Sequence, residues 1–101
     1  MHVIVHQRIT DPERYRDRAG EPIAGRPAHW RLITSAPTRD GSACFSLWWA
    51  DSADALRRCL EPALGAAGPL DCHEVDEENA MGLGDGGATI IRILADPVFG
   101  A

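Results

Sequence analysis

ACFSLWWADSADALRRCLEPALG, residues 43–65, is the stretch whose reading decides the fold. Side chains alternate across an extended strand, so Ala43, Phe45, Leu47 and Trp49 share one face and Cys44, Ser46 and Trp48 the other. Asp51 or Ser52 then supplies an N-cap oxygen. Leu56, Cys59, Leu60, Ala63 and Leu64 recur at helical spacing, with Cys59 read as a small core residue. Pro62 predicts a kink or an early end to that helix, because proline removes a main-chain donor. Trp48 and Trp49 must point to opposite faces of the strand. One of them therefore lies outside a helix-covered core, either in a pocket or against a partner.

Working outward, TRDGS (38–42) reads as a hairpin turn in which Asp40-Gly41 meets the need for positive backbone angles. HWRLITSA (29–36) is the strand before it. GEPIAGRP (20–27) reads as a surface loop. TDPERYRDRA (10–19) begins with Thr10 or Asp11 as cap and Pro12 at the first helical position, so it predicts a polar helix. HVIVHQRI (2–9) is a further strand, and DCHEVDEE (71–78) holds the last, suited by its charge to a sheet edge. The order is β-α-β-β-α-β. The expected class is α+β, ferredoxin-like, with a four-stranded antiparallel sheet carrying both helices on one face. Residues 1–83 form this domain, and 84–101 a glycine-linked extension. Within it ATIIRILA (88–95) reads as a fifth strand serving assembly or as a short amphipathic helix, and GLGDGG (82–87) as a flexible linker.

A chain of 101 residues is expected to be one domain with a modest core, which a second copy would help to complete. The net charge of -5 argues against a nucleic-acid surface, which is usually basic. No apolar run is long enough for a membrane-spanning helix and no signal-peptide pattern begins the chain, so a cytoplasmic location is expected. Cys44, Cys59 and Cys72 are odd in number and widely spaced, and imply no disulfide framework. Phosphate-loop, dinucleotide and zinc-protease motifs are absent, and no cofactor is implied.

If the more apolar side of residues 43–50 faces the helices, Cys44, Ser46 and Trp48 occupy the open face. Val3, Val5 and Ile9 then belong to the core, and Ile4 and His6 to the open face, with His6 opposite Ser46 or Trp48. His29 and His73 could point into the same cleft. Together these residues would line a pocket for a small, partly apolar organic molecule, with His6 as a general base and Glu74 or Asp76 orienting it or replacing it. A non-catalytic alternative has His6 and the tryptophan filling a dimer interface. A third reading has His6, His29 and His73 converging on a metal with Cys44 or Glu74, although no local ligand spacing supports it. His2 reads as a bystander at a fraying end, and the Glu74, Asp76, Glu77 and Glu78 group as a solvated edge.

IVHQRITDPERY, the strand and helix around LWWADSADALRRCLEP, and HEVDEENAMGL resemble small stand-alone ferredoxin-like proteins of actinobacteria and other bacteria, across roughly residues 2–83. More broadly the chain is similar to the dimeric α/β-barrel superfamily. The resemblance implies a homodimer, or a higher assembly of like copies, whose sheets face each other. It also implies a small-molecule pocket and cofactor-independent oxygenase- or isomerase-like chemistry. No complete catalytic set transfers residue by residue.

Overall fold

The computed structural model describes residues 1–83. Residues 84–101, and with them the expected fifth strand and its role in assembly, lie outside the described residues. The order is β1 (His2–Arg8), α1 (Pro12–Arg18), α2 (Gly20–Gly25), β2 (Arg31–Pro37), β3 (Ala43–Trp49), α3 (Ala53–Leu64), a 3-10 turn (Gly65–Ala67) and β4 (Leu70–Glu74). The four strands form one sheet in the order β2-β3-β1-β4, antiparallel throughout. This is an α+β architecture compatible with the ferredoxin-like fold.

Local chemistry accounts for the element ends. Asp11 caps α1 by accepting from the Arg14 main-chain N–H at 3.1 Å, and Pro12 occupies its first turn at no cost in hydrogen bonds. Ser52 caps α3 through the Ala55 N–H at 3.0 Å. The β2–β3 hairpin turns at Gly41, whose φ of 76° is the left-handed region. Asp40 accepts there from the Thr38 and Ser42 hydroxyls and the Ser42 N–H. Those donors, the two from Ser42 foremost, hold its carboxyl at about 2.

Two local expectations are corrected. Residues 20–25 form a short helix rather than a loop. Pro22 sits in the first turn, where its missing N–H has no helical partner to lose. The Arg26 guanidinium then ties the helix exit by donating to the Ile23 and Trp30 carbonyls. The second correction concerns Pro62: of the expected kink or early end, the early end does not occur, since the helix continues to Leu64 before tightening into the 3-10 turn.

The core lies between one sheet face and the helices. Val3, Val5, Trp48, Leu56, Leu60 and Leu64 are its centre, with Trp30 closing one end. Among the described residues no helix covers the other sheet face, and none is long and apolar enough to cross a membrane.

Strand register corrects the face assignment of β3. Val3 pairs with Trp48, Val5 with Ser46 and Gln7 with Cys44, while His2 pairs with Trp49, Ile4 with Leu47 and His6 with Phe45. Directly paired residues share a face. Cys44, Ser46 and Trp48 therefore point under the helices, and Phe45, Leu47 and Trp49 lie on the open face beside Ile4 and His6. The expectation failed because both faces of β3 are apolar, so relative hydrophobicity could not rank them.

Candidate functional site

The helix-covered face encloses a cavity of about 120 Å³, lined by Val5 and Gln7 of β1, Tyr15 of α1, and Pro22 and Ile23 of α2. Leu32 and Ser35 of β2, Cys44, Ser46 and Trp48 of β3, and Leu60 and Leu64 of α3 complete the lining with Ala19. It opens towards β2 and α2, where Ser35 and Ile23 are exposed. The walls are mostly aliphatic and aromatic, with few polar groups.

Those polar groups are specifically held. The Trp48 indole N–H donates to Ser46 Oγ at 3.1 Å, leaving the serine proton free to donate elsewhere. Ser35 Oγ and Cys44 Sγ lie 3.5 Å apart, a hydrogen bond in which either can donate. Beside them burial, together with the neighbouring Cys44 side chain, pushes the Tyr15 phenol up to about 12 from its usual 10.0. Gln7 donates from Nε2 to the Leu64 carbonyl at 2.7 Å and the Gly68 carbonyl at 3.1 Å.

Tyr15 is the chain's one tyrosine, so its titration can be read without interference. A phenolate absorbance titration is expected to show a midpoint about two units above that of a free tyrosine. A midpoint at the ordinary value would mean that the phenol faces water. The raised value favours the neutral form in the folded chain. Its contribution to stability is present below the unfolded value and is lost as pH rises through the folded one.

The structure thus brings Trp48, Ser46 and Cys44 together in one cavity, on the face opposite to that expected. It does not bring the histidines there. His6 lies across the sheet, stacked on Phe45 with ring centroids 4.8 Å apart, and a side chain cannot reach through a sheet to the cavity. His73 pairs with Ile4 and is exposed on the open face of edge strand β4. His29 precedes β2 and is exposed, with its Nε2 2.8 Å from Asp51 Oδ1. Its hydrogen bond holds the Asp51 carboxyl below the usual range. The three positions are dispersed over two faces and a loop. No group of three or more histidine, cysteine or acidic side chains converges among the described residues. Glu74 and Asp76 lie at and beyond the end of β4, away from the cavity lining.

His2 is corrected in the other direction. His2 is buried, its main-chain N–H and ring Nδ1 both meet Glu77 Oε1, at 2.9 and 2.8 Å, and its ring packs edge-on against Trp49. The His2 main-chain N–H, followed by the imidazole, holds the Glu77 carboxyl below its usual value. Glu77 stays exposed, as expected of the acidic group, and in addition clasps His2. Reasoning from the sequence also missed Tyr15, Ser35 and Gln7. Gln7 carried a usable signal, a polar residue at an inward position of β1. Comparison of the chain with protein-family models, with curated proteins and with solved structures gives no match.

Proposed function

We propose that the protein is a homodimer of the dimeric α/β-barrel type that holds a small organic molecule in the cavity between each sheet and its helices. The observation that carries this reading is the division of the sheet: one face walls a cavity, and the other presents an apolar group that no helix covers. Ile4, Ile33 and Phe45 are exposed at 43%, 43% and 47% beside the half-buried Leu47 and Trp49. Scattered exposed apolar side chains need no explanation, but a contiguous group on one face does. Arg31 on edge strand β2 shares this face with Asp71 on edge strand β4, since they pair with Trp49 and His6 respectively. They lie at opposite corners of the face, Arg31 level with His2 and Asp71 level with His6, and a second copy of this chain is the occupant that would bury the apolar group between them. In this reading His6 belongs to the seam between copies.

The role is binding, because the cavity groups are hydroxyls, a thiol and a carboxamide, which orient a ligand. Oxygenase- or isomerase-like chemistry would have Tyr15 and Cys44 as its proton carriers in the cavity, in place of His6. The test is a proton–nitrogen correlation spectrum of the labelled chain against a panel of small organic compounds. Shifts centred on Val5, Ser35, Ser46 and the Trp48 indole are expected with at least one of them. A panel that moves only surface signals would end the reading.

A further inference from the structure

From the way Gln7 is tethered, we infer that it selects the ligand, and that the ligand class is a single-ring, uncharged molecule bearing a hydroxyl donor, of which phenol is the simplest member. The inference rests on the binding reading above and adds the chemistry of the occupant. Gln7 is 3% exposed, yet it borders the cavity. The Leu64 and Gly68 carbonyls can only accept, so the group facing them must be the amide nitrogen. Both Nε2 protons are thereby committed and the plane of the carboxamide is set. Its Oε1 receives no hydrogen bond from any described residue, and it is not among the sealed atoms left without a partner. A buried acceptor fixed in place and open to a cavity calls for a donor on whatever enters.

Three further features define the class. A cavity of about 120 Å³ is slightly smaller than the roughly 150 Å³ engineered cavity known to admit benzene, so one ring is its upper size. None of the lining side chains is an Asp, Glu, Lys, Arg or His. A carboxylate or ammonium on the ligand would be buried there without a counter-charge, at heavy cost. Finally, the Ser46 hydroxyl has its proton free on the same face as Gln7, from the neighbouring strand. A ligand hydroxyl can donate to Gln7 and accept from Ser46, while its ring lies against Trp48, Val5 and Leu60.

The experiment titrates the full-length chain with phenol, with toluene, which has nearly the same shape but no donor, and with benzoate. Binding is followed by the Gln7 carboxamide and Trp48 indole signals. Phenol should bind about tenfold more tightly than toluene, the scale of one net hydrogen bond. It alone should move the Gln7 signals, and benzoate should not bind at neutral pH. In Gln7→Met the preference for phenol over toluene should vanish. If that variant does not fold, the comparison on the wild-type chain decides alone. Equal affinity for phenol and toluene would leave the cavity as a binding site and overturn the role of Gln7. Binding of neither would overturn both.

Discussion

Phe45→Asp is expected to turn a dimer, with twice the 10.9 kDa chain mass, into a monomer with its secondary structure intact. Phe45 is the most exposed residue of the apolar face on β3, so its replacement disturbs no core packing within one chain. In a face-to-face dimer the same change places a carboxylate from each copy in an apolar seam. Burying a charge costs several kcal/mol per ion, and its cross-strand neighbour His6 would have to be desolvated in the charged form to offset it, so an interface of ordinary strength should dissociate. Light scattering measures the mass and circular dichroism the fold. Phe45→Leu should remain dimeric, because it keeps the apolar surface. A wild-type chain that is monomeric at high concentration, or an aspartate variant that stays dimeric, would refute the proposed assembly.

The largest expected loss of stability within one chain comes from Gly68→Ala, about 3 kcal/mol or more, read as a fall in the urea midpoint. Gly68 has φ of 146°, where side chains with a Cβ are strained. An added methyl would also run into the Arg8 main-chain carbonyl, which is backbone and cannot swing aside. At this joint the Arg8 N–H donates to the Pro69 carbonyl, and the Thr10 and Asp11 N–H groups to that of Ala67. The Gly68 carbonyl is also one of the two that hold Gln7, so the change should loosen the cavity wall as well. Gly65→Ala is the control. That residue is helical at φ of -60° and has room for a methyl, so the variant should equal or exceed wild type by up to about 1 kcal/mol. Equal midpoints for the two variants would show that the close approach at Gly68 is not limiting.

The legibility of this chain follows the range of the forces involved. Caps at Asp11 and Ser52 and the turn at Gly41 depend on neighbours within a few residues, so they could be read directly. Residues 20–25 could not, because two glycines and a proline outweigh any helical signal until α1 and α3 provide a surface to pack on. His2 failed for a similar reason: its partner, Glu77, is distant in sequence. The site was legible in its β3 members and illegible in its context. Cys44, Ser46 and Trp48 do line one cavity, but Tyr15, Ser35 and Gln7 join them only through packing and strand pairing.

The sequence by itself determined the alternation of β1 and β3, the order of the four strands with α1 and α3, and the presence of one tryptophan on each side of β3. In an unbroken strand periodicity is a property of the local chain and decides which residues share a face. Only the tertiary structure decided which face the helices cover. Strand pairing couples β3 to β1 in one register, Val5 beside Ser46 and His6 beside Phe45, and the burial of Val3 and Val5 then carries Trp48 inward with them. That pairing moved His6 away from the cavity and put Gln7 into it.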